Sequence, residues 1–153
     1  MKASLGFSLI ELMTALVVLA ILATVALPSY QSFVLTQRVR GASYDLMTSL
    51  VFARSEAIKR NASVSMTQAA GGWAQGWTVS AGALTLRTQD PYGGSVSITN
   101  SASVTTITYS NDGRLNGLAS DFAIAAAGGS AQVQTRCLSI KLGGMPSSKI
   151  GSC

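Results

Sequence analysis

The sequence predicts an α+β fold: one long, kinked N-terminal helix, its first half suited to a membrane, packed on an antiparallel β-sheet head. Three observations carry that prediction. Residues Phe7 to Leu27, FSLIELMTALVVLAILATVAL, form an apolar run of about 20 residues, the length at which a helix crosses bilayer hydrocarbon. Beyond it, Val39, Ala42, Leu46, Leu50, Ala53 and Ala57 recur at steps of three and four, which marks one apolar stripe on a helix. From Ser63 onward the pattern turns to period two and β-branched residues, punctuated by Gly, Asn and Asp.

In the first run only Ser8, Glu11, Thr14 and Thr24 are polar. Glu11 stands out, because a carboxylate inside hydrocarbon costs about 3 kcal/mol and so has a partner or a task. A cleavable signal peptide cut near Ala20 and Ala23 is one reading, but the run is long for one and Lys2 is the only charge before it. A plain one-pass anchor accounts for the length and leaves Glu11 unexplained. Pro28 removes an N–H and clashes with the preceding turn, so a kink or loosening is expected there. Tyr30 and Phe33 then suit the membrane interface. Helix is expected to resume from Gln31 to about Arg60, with Asn61 as its stop. Arg38, Arg40, Arg54, Lys59 and Arg60 fall off the apolar stripe and read as a solvated surface.

Strands are predicted at Ser63–Thr67, Trp73–Ser80, Ala83–Thr88, Val96–Thr99, Val104–Ser110, Asp121–Ala126 and Gln132–Leu142. Gly71-Gly72, Ala81-Gly82, the Asp90–Gly94 stretch, Asn111-Asp112-Gly113 and Gly128-Gly129 supply the turns. Trp73 and Trp77 are expected where sheet meets helix. The stretch 143–148, GGMPSS, reads as a loop.

With one long helix taking about 55 of 153 residues, the remainder is one head domain of ordinary size. Net charge is +5 and charged residues are 11%, a mildly basic balance that permits anionic partners without demanding one. There is no histidine, which removes Ser-His-Asp and Cys-His nucleophile systems and the common zinc-enzyme shells. No phosphate loop, dinucleotide fingerprint or Cys-x-x-Cys occurs. The head carboxylates Asp90, Asp112 and Asp121 all sit at turns or strand ends. No enzyme, cofactor or metal is expected. The two cysteines, Cys137 and Cys153, read as one disulfide if the head is exported, with two free thiols as the alternative.

Gly6-Phe7-Ser8-Leu9-Ile10-Glu11 resembles the cleavage motif of type IV prepilins and type II secretion pseudopilins. The resemblance implies a six-residue leader, cut between Gly6 and Phe7 by prepilin peptidase, with N-methylation of Phe7. Glu11 then falls at the fifth mature position, where the family keeps its Glu, and Pro28 where many members carry a proline. Cutting would leave an amine on Phe7 about one helical turn from Glu11, close enough to pair within the chain or with a neighbouring subunit. Glu11 is thus expected to set register during assembly. Leu50 and the string from Ala53 to Arg60, ARSEAIKR, followed by Gly76-Trp77, resemble the GspH/FimT branch of minor pilins and pseudopilins.

That resemblance implies four parts: leader 1–6, transmembrane and fibre-core helix 7–27, amphipathic helix 28–60 and β-rich head 61–153 with its disulfide loop. It implies a single-pass protein of the bacterial inner membrane with a periplasmic head, which then enters a pilus or pseudopilus fibre. The implied partners are other minor and major pilins, the inner-membrane assembly platform and prepilin peptidase. The tail, ending in Cys153, is more like pilus members than pseudopilins. A DNA-binding role, as in some relatives, is the rival expectation: Arg114, Arg136, Lys141 and Lys149 would hold phosphates if they shared a face. The basic G-R-x-R motif associated with such relatives is absent, and Leu142-Gly143-Gly144-Met145-Pro146 stands in its place.

Overall fold

A 52-residue helix, α1 (Leu9–Arg60), runs from the apolar segment into the head. In the computed structural model the described residues are 8–153. At 1.5 Å per residue, α1 is about 78 Å long, so its first half exceeds the thickness of bilayer hydrocarbon before the head begins. Helical backbone continues through Pro28 to Arg60, so the two halves belong to one continuous helix, as expected. Nearby hydroxyls take up carbonyls along this half. Thr14 Oγ1 donates to the Glu11 carbonyl, Thr24 Oγ1 to that of Ile21, and Ser32 Oγ to that of Ser29. Asn61 ends α1 in the left-handed conformation (φ 49°), its N–H facing the Ala57 and Ile58 carbonyls.

The head has eight strands: β1 (Val64–Gln68), β2 (Trp77–Ala81), β3 (Leu84–Gln89), β4 (Val96–Asn100), β5 (Thr106–Tyr109), β6 (Ser120–Ala126), β7 (Arg136–Ile140) and β8 (Pro146–Ile150). They form two four-stranded antiparallel sheets, in the orders β3-β2-β1-β5 and β4-β6-β7-β8. Both sheets pack on α1. All six residues of the apolar stripe, Val39 to Ala57, are buried there. Val64, Met66, Val79, Ile107 and Tyr109 meet them from the first sheet; Ile98, Phe122, Ile124, Leu138 and Ile140 meet them from the second.

Two expectations are corrected. The sequence reads Trp73–Ser80 as one strand, but Trp73–Gln75 is a 3-10 turn framed by Gly72 and Gly76, at φ 105° and 95°. Trp73 is buried in that turn. Its Nε1 donates to the Val104 carbonyl at 3.0 Å, and its ring stands edge-on to Phe122 of β6 at 5.2 Å. It thereby closes the seam between the two sheets. The second correction is β8, which occupies part of the stretch read as a loop. It pairs with β7 from Arg136↔Ile150 to Ile140↔Pro146. Pro146 opens it on the sheet's edge, where a missing N–H costs nothing.

Gly76 and Gly41 predict opposite outcomes. A Cβ on Gly76 would strike the Gln89 carbonyl and require an uncommon positive φ. Gly41 lies in α1 with open space around the Cβ position. Gly76→Ala is expected to cost about 2 kcal/mol or more, and Gly41→Ala to stabilise by roughly 0.5–1 kcal/mol. Chemical denaturation of the two variants checks both signs.

Tyr109 is fully buried and its hydroxyl has no hydrogen-bond partner. Burial pushes that hydroxyl up to about 12, against the opposing charge of Arg54. The native state thus favours the protonated form, so its contribution is complete below pH 10 and lost as pH rises from there towards 12. A two-unit shift corresponds to roughly 2–3 kcal/mol. Tyr109→Phe is expected to leave stability near neutral pH little changed and to flatten the decline between pH 10 and 12, read by denaturation across that range.

Candidate assembly site

The described side chains of α1 before Pro28 are all exposed. Leu9, Leu12, Leu16, Leu19, Leu22 and Leu27 are all more than half exposed, and so are Tyr30 and Phe33. Its most apolar 18-residue window has mean hydropathy 2.5. Soluble monomers do not leave an apolar surface of this extent in water, so lipid or other protein must cover it. Glu11 lies in the first turn of this half and is exposed along with the apolar residues around it. Gly6 and Phe7, where cleavage and methylation are expected, lie outside the described residues.

The second half of α1 carries the head. Arg54 Nε donates to the Gly113 carbonyl at 2.9 Å, tying α1 to the turn after β5. Glu56 pairs with Arg60 at 2.6 Å and with Lys59 at 3.7 Å. The Arg60 hydrogen bond chiefly holds its carboxyl below the usual range. Tyr92 Oη donates to Asp45 Oδ2 at 3.0 Å, fastening the β3–β4 loop to the helix. Burial, then the Asp45 charge, pushes that tyrosine far above its ordinary value. Neither this bond nor the role of Arg54 is legible in the sequence, since each partner is distant along the chain and of a common surface type.

Cys137 and Cys153 are joined in a disulfide, with Cα atoms 5.1 Å apart. Cys137 is buried on β7, and the bond draws the chain end back across the sheet beyond β8. Among the described residues, no cluster of three or more His, Cys, Asp or Glu is placed to hold a metal.

The four basic residues considered for phosphate binding do not share a face. Arg136 stands opposite Ile150 and Ile124, on the side of its sheet that faces α1. Lys149 stands opposite Cys137 and so projects from the other side. Lys141 and Arg114 lie in the turns after β7 and β5, which touch through the Leu115 N–H and the Leu142 carbonyl at 3.1 Å. The basic neighbour that the structure does give Arg136 is Arg40 of α1, which in the sequence reads only as a solvated charge; both line the same two clefts.

Cys153→Ser removes the cross-link with little change in packing, since Cys153 is exposed. The bond spans 16 residues, so the variant is expected to lose about 3 kcal/mol, measured against the oxidised wild type by denaturant unfolding.

Residues 42–144 match the family described as Type II transport protein GspH, and residues 1–27 match the prokaryotic N-terminal methylation motif. Among solved structures the chain is similar to the type IV minor pilin FimU of Pseudomonas aeruginosa PAO1. The P21 crystal form has a TM-score of 0.66 at 24% identity, covering 74% of this chain and 89% of that one. The P65 form has a TM-score of 0.63 at 24% identity, covering 72% and 91%. At this identity the likeness shows the fold: a long helix laid on an antiparallel head. No curated protein matches the chain. With the GspH match running from the second half of α1 over most of the head, and the methylation motif covering its bare apolar start, the chain belongs to the GspH family of type II transport proteins and has a pilin-type fold.

Proposed function

We propose that this chain is a minor pilin, a structural and priming subunit that enters a type IV pilus through its N-terminal helix. The observation that carries the reading is the exposed apolar half of α1, continuous in one helix with the half that holds the head. A subunit built this way can wait in the inner membrane with its head on the periplasmic side. It can then exchange lipid for the apolar helices of its neighbours with little change in solvation. The driving force for that exchange is packing and polar pairing, because lipid tails are as apolar as leucine.

In this reading residues 1–6 are a leader removed by prepilin peptidase between Gly6 and Phe7, and the new Phe7 amine is methylated. Residues 7–27 form the membrane and fibre-core helix, 28–60 the amphipathic continuation and 61–153 the head. Glu11 pairs with a Phe7 amine, its own or a neighbour's, and so selects register. The chain works with other minor and major pilins and the assembly platform, by packing, without catalysis or cofactor.

A type II secretion pseudopilin is the second reading, favoured by the family's own description as a type II transport protein. DNA capture has less support, because Arg136 and Lys149 lie on opposite sides of one sheet. The resulting surface offers no continuous track of cations for a phosphate backbone.

The deciding experiment is to shear surface fibres from cells carrying the full chain, and to follow protein secretion in a deletion strain. A pilus subunit is expected in the sheared fraction, starting at methylated Phe7 by mass spectrometry, with secretion intact. Secretion lost while fibres persist would move the chain to the pseudopilin. Glu11→Val is expected to lower recovery in fibres about tenfold while leaving the membrane pool unchanged, an effect of about 1.4 kcal/mol on assembly. Recovery equal to wild type would remove Glu11 from the mechanism.

A further inference from the structure

Among the described residues, Arg136 is the one charged side chain with a buried polar atom that its own fold leaves without a partner. Its Nε is buried and has no hydrogen-bond partner. No carboxylate among the described residues lies within salt-bridge distance of it or of Arg40, the ion pairs found there all being made by Glu56. The two arginines line a notch of about 30 Å³ closed by Thr36, Val39, Gln134 and Ile150. That is the share of space of one water or one small polar group. They also line a wider cleft of about 230 Å³ with Ser43, Tyr44, Met47 and Ser148. A guanidinium N–H withdrawn from water without a partner is costly, and a carboxylate is the group whose shape matches the guanidinium fork.

The surroundings say where that carboxylate comes from. Tyr44 is 69% exposed at the cleft's edge and Ile150 61% exposed at the notch, with the half-buried Met47 between helix and cleft. An aromatic, a methionine and arginines around one recess are the composition of a protein interface core. A nucleic acid would ask instead for more cations in line, and Lys149 faces away. The cleft lies on the same helix whose first half is bare, so one neighbour lying along α1 could cover both.

We propose that the Arg40–Arg136 cleft receives an acidic side chain of a neighbouring pilin-type subunit, with Tyr44 and Met47 packing around it. This rests on the reading that the chain assembles with other pilins. Arg136 is the fixed donor, positioned by β7, and Arg40 the exposed one that closes over the incoming carboxylate.

The test places a photo-crosslinking residue at Tyr44 in the full chain in cells, and maps cross-linked peptides by mass spectrometry in both the membrane and the sheared-fibre fractions. The expected product joins Tyr44 to a segment of another pilin-type subunit that contains Asp or Glu. Arg40→Glu, a surface change that leaves the fold alone, is expected to reduce its yield about tenfold. Arg136→Glu is expected to do the same with its melting temperature checked, and Lys149→Glu to do nothing. Replacing the mapped acid by Arg is expected to restore the product in the Arg40→Glu background. A yield unchanged by Arg40→Glu overturns the proposal. So does the absence of any acidic segment at the cross-link, which would leave a solvent anion only. Salt-sensitive binding of duplex DNA by the detergent-solubilised chain that Arg40→Glu abolishes would also overturn it, in favour of phosphate. A wild-type chain absent from fibres but cross-linked in the membrane would refute the pilus reading and keep the cleft.

Discussion

Everything in this protein depends on one helix serving two solvents. The stripe from Val39 to Ala57 is wholly buried under two sheets, whereas the described side chains before Pro28 are all exposed. Backbone helix runs unbroken from Leu9 to Arg60 across both regimes. The orientation of the head relative to the apolar half is therefore set by the helix itself. A loop at residue 28 would have let the head swing. An unbroken helix makes the packing of one half report directly on the position of the other.

The head answers that constraint with two small sheets in place of one large one. Each is only four strands wide, and each offers α1 one apolar face. Trp73 fills the seam between them, touching Phe122 of one sheet while its indole N–H reaches the Val104 carbonyl just before β5 of the other. Trp77 continues the aromatic layer towards Tyr92, at 6.1 Å, and Tyr92 in turn is bonded to Asp45 of the helix. Helix, loop and both sheets are thus linked through one run of aromatic contacts, with a polar end at Asp45. Trp73 and Trp77 are buried, so removing either ring would open a cavity in the core.

How much of this is legible in the sequence follows from the range of the interactions involved. Helical period depends on neighbours three and four apart, so the six stripe residues can be read directly, and all six are buried. Most strands are legible for the same reason, since alternation is local. Their division into two sheets is not. Period two tells which face a residue takes and nothing about which strand lies beside it, and β5 reaches back to β1 while β6 pairs with β4. Strand β8 escapes such a reading because Pro146, Ser147, Ser148 and Lys149 have low β propensity. Its conformation comes from pairing with β7 and from the disulfide just beyond it. Trp73 misleads in the opposite sense, an aromatic in a strand-like context whose flanking glycines at positive φ bend the chain into a turn.

The same distinction of range separates the two parts of the candidate site. Glu11 and its apolar surroundings are contiguous, so local pattern alone declares the first half of α1 as a membrane or fibre segment. Arg40 and Arg136 meet only because β7 lies along α1, and nothing near either residue in the chain marks it as different from a solvated charge. The Asp45–Tyr92 bond provides the contrast. There too a helix residue meets a residue from the sheet region, but the pair is complete, donor to acceptor, and fastens the loop. At Arg136 the donor is buried and the acceptor is missing from the chain's own described residues. Of the buried groups left without a partner, Arg136 alone is charged, which is why the acceptor proposed for it is a carboxylate of another molecule.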